Sequence, residues 1–165
     1  MNKTLQKHLP TVAVFGCIAA TFFYFTSRYT IAINGAASDC LRASVFLVDK
    51  WDQQIRKGDL AAFTMNNENA VHGTGQNWIK KAVATGGMRL NVTENEVVIN
   101  GKELIKSTLT YSLNYLDLSM KDVPSFVVVP DGEFFMMGET ITSYDSRYWG
   151  TVKQQDILGK AYALF

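Results

Sequence analysis

The chain has 165 residues, 47% of them hydrophobic, which is enough apolar side chain for one compact domain. Its 16 lysine and arginine residues nearly balance 15 aspartate and glutamate residues, so the formal net charge is only +1. No block of like charge occurs, and a nucleic-acid partner is therefore not expected.

The N-terminal part of the sequence has the composition of a membrane anchor. Residues 9–25 form an uncharged, mostly apolar run that would cross most of a bilayer at about 1.5 Å per residue. Lys3 and Lys7 precede this run, so the positive-inside rule predicts that residues 1–8 are cytoplasmic and that residues 26–165 lie outside. A cleaved signal peptide is the alternative, because it also combines a charged start with an apolar segment.

The two cysteines fall on different sides of the predicted membrane boundary. Cys17 lies within the apolar run and Cys40 lies outside it, so the two are not expected to form a disulfide. In an oxidising compartment an unpaired thiol is a liability unless it is buried, paired between chains or used chemically.

Short runs rich in β-branched and aromatic residues follow the anchor and predict strands at Tyr29–Ile33, Ser44–Trp51, Leu60–Met65 and Trp78–Thr85. Apolar and polar residues alternate along Arg89–Lys106, and the pair Asn100-Gly101 within it predicts a β-hairpin. Further short apolar runs follow at residues 125–130, 132–139 and 157–165. No heptads, repeats or long amphipathic helix occur, so the outer part is predicted to be a single, mainly β domain.

Several short motifs occur in a recognisable order along this outer part. They are KGD at 57–59, IKKAVATGG at 79–87, VVING at 97–101, SYDSRYWG at 143–150 and GKA at 159–161. Their order and spacing resemble the type I signal peptidase family. The small size and single anchor are most similar to the TraF-type branch, the peptidases of conjugative DNA transfer that mature pilin precursors.

The resemblance implies a signal-peptidase-like, β-rich catalytic domain behind a single transmembrane helix, with a nucleophile and a lysine as its catalytic dyad. Lys80 aligns with the family's catalytic lysine. A lysine is a general base only when neutral, and an apolar setting favours the neutral form. Strand alternation predicts that Lys80 shares a face with Trp78 and Ala82, whereas Lys81 points the other way and is solvated.

The same resemblance implies three supporting residues in the SYDSRYWG motif. Ser143 would orient the lysine ammonium through a hydroxyl hydrogen bond. Asp145 and Arg147 would form an ion pair that holds this loop beside the dyad, a positional role and not a catalytic one.

The nucleophile has two candidates in the segment SDCLRASVF, namely Ser38 and Cys40. Aligning the TraF-type pattern from Cys40 keeps the following strand in register, with Leu41 at the methionine position and Phe46 at the tyrosine position. Aligning from Ser38 preserves the family's serine but starts the strand two residues late. A thiol is more easily deprotonated than a hydroxyl and its thiolate is a strong nucleophile, so Cys40 is favoured and Ser38 is the alternative.

Two residues near these candidates depart from the family pattern. Arg42 stands where TraF-type sequences have proline, and Glu139 stands where an aspartate is usual. A histidine-dependent triad would rest on His72 alone, and no supporting spacing surrounds it. Neither a cofactor nor a metal is expected, because one histidine and one thiol outside the membrane fall short of the usual four ligands.

The predicted function is removal of the signal or propeptide of a pilin-type precursor for conjugative transfer, through an acyl-enzyme. The expected partners are that precursor, or another signal-bearing polypeptide, and the lipid bilayer. The expected location is the bacterial inner membrane, with the catalytic domain in the periplasm. Aminolysis that joins the pilin ends into a ring is an alternative to hydrolysis. A general signal peptidase and a catalytically inactive, membrane-tethered assembly factor are the alternative functions.

Overall fold

The structure is a computed structural model that describes residues 3–33, 40–67 and 74–165. It begins with a 26-residue helix, α1, from Lys3 to Arg28. Within the described residues this is the one helix long and apolar enough to cross a membrane, judged by length and composition over Thr11–Arg28. The predicted anchor at residues 9–25 falls inside this helix.

Eleven strands follow in the part of the chain that the structure describes, and every pairing between them is antiparallel. In chain order they are β1 (Tyr29–Ile33), β2 (Val45–Asp49), β3 (Leu60–Met65), β4 (Gln76–Thr85), β5 (Arg89–Val92), β6 (Glu96–Ile99), β7 (Glu103–Lys106), β8 (Phe126–Val128), β9 (Glu133–Met137), β10 (Val152–Lys153) and β11 (Ile157–Ala163). The mainly β prediction is therefore confirmed.

The larger sheet contains seven strands in the order β1-β2-β11-β3-β4-β9-β10. Strand β4 lies inside this sheet, where Lys80 is opposite Ala61 of β3 and Lys81 is opposite both Leu60 of β3 and Met137 of β9. A register irregularity between Ala82 and Ala84 interrupts the pairing of β4 with β9. The lysine-bearing part of β4 is thus held by hydrogen-bonded strands on both sides.

The smaller sheet has the order β7-β6-β5-β8. The segment 89–106, predicted as one hairpin, forms three of its strands, and this corrects the prediction. Asn100 and Gly101 have φ values of 51° and 67° and connect β6 to β7, as the sequence indicated. The turn between β5 and β6 carries no comparable dipeptide signal, and it was missed for that reason.

Two short helices complete the described fold: α2 (Thr110–Leu116) and α3 (Ser146–Trp149). The sequence predicted neither, because one or two helical turns are too short to show a 3.6-residue period. Helix α2 buries Leu113 in the core and is followed by its C-cap residue Asp117, which is left-handed with φ of 54°.

A buried apolar cluster joins the two sheets. It combines Ala84 of β4 and Phe135 of β9 with Leu90 of β5 and Val97 of β6, all of them fully buried. A second cluster includes Phe63 and Met136 of the larger sheet, together with Trp149 of α3. Because both clusters include β4 and β9, the ends of these strands are well-supported positions for functional side chains.

Candidate active site

Lys80 is a buried lysine in the middle of β4. Its side chain is only 3% exposed, and its Nζ donates a hydrogen bond to Ser143 Oγ over 3.0 Å. The same Nζ lies 5.6 Å from the centre of the Trp78 ring, so the predicted shared face of Lys80 and Trp78 is present. Burying an amine is unfavourable without such partners, and the Ser143 hydroxyl supplies one.

Lys81 lies on the opposite face of β4. Its side chain is 43% exposed and its Nζ is 3.7 Å from Glu139 Oε1. The alternation of side chains along the strand therefore gives two neighbouring lysines different surroundings, as the sequence predicted. Lys81 is a solvated partner of an acidic residue, whereas Lys80 is enclosed.

Asp145 and Arg147 form a fully buried, two-point ion pair. Arg147 Nε donates to Asp145 Oδ1 over 2.7 Å, and Arg147 Nη2 donates to Asp145 Oδ2 over 2.8 Å. Asp145 also caps α3, since its Oδ1 accepts the Arg147 backbone N–H at 3.3 Å. Arg147 Nη2 additionally donates to the Ser143 carbonyl at 3.3 Å, so the pair fixes the residue that contacts Lys80.

This ion pair is charged at neutral pH. Burial alone would raise the pKa of Asp145, but the positive charge of Arg147 and its hydrogen bonds outweigh burial and hold that pKa below its ordinary value. Burial alone would lower the pKa of Arg147, and the Asp145 carboxylate raises it instead. A pair that is buried, charged and doubly hydrogen-bonded is rigid, which suits a positional role.

Two contacts of this motif were missed from the sequence. Arg147 Nη1 donates to Ser107 Oγ over 2.5 Å, a partner 40 positions away in the chain that no local pattern indicates. Ser146 Oγ accepts the Met136 backbone N–H at 2.8 Å and ties α3 to β9. Together they connect the motif to β9 and to the residue that follows β7.

Gly138 directly follows β9 and permits the close packing of the site. A Cβ atom at this position would lie 2.1 Å from Ser143 Oγ and 2.6 Å from the Cys40 carbonyl oxygen, so no larger residue fits without displacement. Its N–H donates to Asp145 Oδ2 over 3.0 Å. A glycine at a strand end beside a motif was the signal available in the sequence for this close packing.

The Cys40 backbone is held against this same loop. The Glu139 N–H donates to the Cys40 carbonyl over 2.7 Å, and the Arg42 N–H donates to Glu139 Oε2 over 3.3 Å. Cys40 is a free, half-buried thiol, whereas the next residue, Leu41, is buried. Ser38 and His72 lie outside the described residues.

Cys40 and Lys80 line one cleft, which has a volume of about 630 Å³. Its apolar lining consists of Ala32, Ile33, Val48, Ala62, Ile79 and Leu158, together with the Trp78 and Tyr144 rings. We call it the apolar cleft. Its size and lining suit a short, uncharged peptide segment, and a thiol and an amine are both available at its wall.

The profile of one protein family, described as signal peptidase, peptidase S26, matches residues 4–165. A signal peptidase I from Bacillus caldolyticus is 25% identical over 156 residues, which cover 87% of this chain and 82% of that protein. A conjugal transfer protein TraF from Agrobacterium fabrum is 32% identical over 89 residues, covering 53% of this chain and 48% of that protein.

A crystal structure of a signal peptidase I from Enterococcus faecalis matches with a TM-score of 0.44 and 23% identity, covering 69% of this chain and 99% of that one. The chain spans about half the length of several curated relatives that it matches.

Proposed function

The chain belongs to the signal peptidase family, peptidase S26, and from this membership we propose that it is a membrane-anchored endopeptidase that cleaves the signal or propeptide of a pilin-type precursor for conjugative transfer. The observation that carries the proposal is Lys80, a buried lysine that contacts Ser143 and lines the apolar cleft together with Cys40. Buried, partnered ionisable groups at the wall of a cleft are typical of catalytic sites.

The chemistry is acyl transfer. The nucleophile, Cys40 or alternatively Ser38, attacks the carbonyl of the scissile peptide bond while neutral Lys80 takes its proton. The tetrahedral intermediate collapses, the protonated Lys80 gives the proton to the departing amine, and an acyl-enzyme remains. Water, deprotonated by the same amine, then attacks the acyl carbon and releases the nucleophile. Backbone N–H groups beside the nucleophile would stabilise the oxyanion.

Cys40 is the nucleophile that we propose. It lines the same cleft as Lys80, and its carbonyl is fixed by the loop that also carries Ser143. Asp145 and Arg147 act as positioning residues, because they contact Ser143 and Gly138 and not the cleft. Ser38 stays the alternative nucleophile.

The proposed location is the bacterial inner membrane. Helix α1 would be the single-pass anchor, with residues 1–8 in the cytoplasm and the catalytic domain, residues 26–165, in the periplasm. The absence of charge from residue 9 to residue 25 and the two lysines before it support this orientation. The partners are then the bilayer and a precursor delivered through it.

The test is processing of a pilin precursor by membranes that contain the full chain. Wild-type membranes should yield the shortened product and Lys80→Ala membranes should not. Lys121→Ala is the control, because it removes an exposed lysine that does not line the apolar cleft and should retain activity. Equal processing by Lys80→Ala and wild type would reject the proposal.

A general signal peptidase is the second candidate, since the match to the Bacillus caldolyticus enzyme covers most of both chains. Expression in a strain depleted of its own signal peptidase separates the two, and full rescue would favour the general enzyme. If Cys40→Ala and Ser38→Ala each leave pilus assembly intact, an inactive assembly factor is favoured instead.

Release of the acyl-enzyme by an amine is the remaining alternative to hydrolysis. If the precursor's own N-terminal amine attacks the acyl carbon, the product is a ring. The intact mass of the mature pilin decides between them, because the ring is lighter than the linear product by one water.

A further inference from the structure

A second cleft, of about 440 Å³, lies on the other face of β4. Lys80 lines the apolar cleft and Lys81 lines this one, so the strand separates the two. Its charged lining residues are Arg42, Lys57, Lys81, Lys106, Glu103 and Glu139. We call it the basic cleft.

The basic cleft has an excess of positive charge. Four cations against two carboxylates leave a formal charge of +2 within this cleft, larger than the +1 of the whole chain. Both carboxylates already have cationic partners, since Glu103 pairs with Lys57 and Glu139 lies 3.7 Å from Lys81. Among the described residues, no carboxylate forms an ion pair with the side chains of Arg42 or Lys106, and both are exposed.

This cleft adjoins the candidate nucleophile. Glu139 lines it and donates its N–H to the Cys40 carbonyl, and Arg42 follows Cys40 by two positions. An extended peptide advances about 3.3–3.6 Å per residue. A substrate whose scissile carbonyl lies at Cys40, and whose chain then runs along residues 40–42, would bring its next two or three residues to Arg42.

We propose that the basic cleft binds an acidic side chain of the substrate, within the first three residues on the C-terminal side of the cleaved bond. The inference rests on the proposed peptidase function. The apolar cleft, whose lining is mostly apolar and contains no carboxylate, takes the segment before the bond, so the segment after it is directed to the other side of Cys40. There the unpaired charges of Arg42 and Lys106 select a carboxylate.

The test uses the purified full chain in detergent and two synthetic precursor peptides that differ only by glutamate or glutamine at the second residue after the bond. The glutamate peptide should be cleaved with a kcat/KM about fivefold higher at low salt, and salt should reduce this ratio. In Arg42→Gln/Lys106→Gln the ratio should fall to about one. Lys121→Gln, an exposed lysine outside both clefts, is the matched control and should keep the wild-type ratio.

A binding measurement separates this inference from the proposed function. Fluorescence polarisation of the same labelled peptides on Lys80→Ala should show tighter binding of the glutamate peptide, with the preference lost when the two cleft substitutions are added. If the glutamate peptide binds more tightly but the wild type cleaves neither peptide, the proposed peptidase function is rejected and the proposed role of the basic cleft is retained. Cleavage of both peptides at equal kcat/KM would overturn the proposed role of the basic cleft and leave the peptidase function standing. Loss of the preference when phosphatidylglycerol is added to the micelles would also overturn it, because the cleft would then bind lipid headgroups.

Discussion

Ser143 is the residue that determines where the Lys80 amine points. Its buried hydroxyl accepts the hydrogen bond from Lys80 Nζ, and its own carbonyl accepts one from Arg147. The backbone of Ser143 is thus held by Arg147 while its side chain contacts Lys80. A lysine side chain has several rotatable bonds, so such a fixed acceptor restricts the amine to one position.

Replacing Ser143 should therefore impair the chemical step more than substrate binding. We expect Ser143→Ala to lower kcat about tenfold or more with little change in KM, since the amine loses its orientation but the apolar cleft keeps its lining. Steady-state cleavage of a synthetic precursor peptide measures both constants. Thr142→Ala, an exposed neighbour in the same loop, is the control. An unchanged kcat in Ser143→Ala would show that the hydrogen bond has no part in catalysis.

The thiol of Cys40 offers a separate test of the nucleophile. A thiol-alkylating reagent should abolish cleavage, while Ser38→Ala should retain most of it, because a thiolate needs a smaller pKa shift than an alkoxide. Cys17 is also a free thiol, so the measurement is made in Cys17→Ser as background. Loss of activity in Ser38→Ala, with no effect of alkylation, would make Ser38 the nucleophile and Cys40 a packing residue.

The sequence indicated individual residues of the candidate site but not all of their contacts. The motif identified Lys80, Ser143, Asp145 and Arg147, and strand alternation predicted the different surroundings of Lys80 and Lys81. The hydrogen bond from Arg147 to Ser107 spans 40 positions, and nothing in a local pattern reports such a pairing. The choice between Ser38 and Cys40 stays a prediction.

Helix α3 is held by the charge of one carboxylate. Asp145 caps this short helix, pairs with Arg147 and accepts the Gly138 N–H, so both α3 and the backbone at Gly138 depend on it. A helix of one turn has little stability of its own. The position of α3 in the fold therefore depends on the buried ion pair.

This dependence predicts a stability that is lost in acid. The pKa of Asp145 is held below its ordinary value of about 3.9, so the unfolded state binds a proton more readily than the folded state does. The stabilisation is complete above that ordinary value and is lost as the pH falls through the lower, folded-state pKa. Asp145→Asn should cost about 3–5 kcal/mol at neutral pH, since it leaves Arg147 buried and unpaired.

Urea unfolding at neutral and acidic pH measures the effect. The difference in unfolding free energy between wild type and Asp145→Asn should shrink as the pH falls below about 4. Asp131→Asn, an exposed aspartate, serves as the control and should differ little from wild type. A pH-independent difference between Asp145→Asn and wild type would mean that the charge of Asp145 does not stabilise the fold.

Strands were predicted where they are long enough for the alternation of their side chains to be recognised in the sequence. Strand β3 lies at the predicted residues, and β1 and β4 lie at or within two residues of theirs. Strand β10 has two residues and α3 has four, so neither is long enough for its side-chain period to occur twice. Residues 89–106 form three strands because the chain also turns between β5 and β6. That turn contains no recognisable dipeptide, so the sequence did not predict it.

For the whole molecule, the important feature is how α1 joins the outer domain. The helix ends at Arg28 and β1 begins at Tyr29, so no linker intervenes. Arg28 Nη2 donates to the buried Asp49 carboxylate over 2.7 Å, and the Lys50 N–H donates to the Arg28 carbonyl over 2.8 Å. The end of the proposed anchor is thus fixed to β2, and β2 borders the apolar cleft.

This junction should matter only when the substrate is in the membrane. We expect Asp49→Ala to slow cleavage of a precursor embedded in vesicles severalfold, because the height and tilt of the catalytic domain above the bilayer become less defined. Cleavage of a soluble peptide in detergent should change less. Asp52→Ala, a nearby aspartate without an ion pair to Arg28, is the matched control. Equal losses on both substrates would indicate a folding defect and not a change in positioning.

In the proposed mechanism, Lys80 and a nucleophile in the segment 38–40 act as one catalytic unit. Its most direct test is the kcat/KM of the purified full chain on a synthetic precursor peptide, measured for Lys80→Ala, Cys40→Ala, Ser38→Ala and the two double variants with Lys80→Ala. Groups that act as a unit have non-additive effects, so Lys80→Ala/Cys40→Ala should be no slower than either single variant. The losses of Lys80→Ala and Ser38→Ala should instead multiply. Multiplication in both double variants would contradict the dyad.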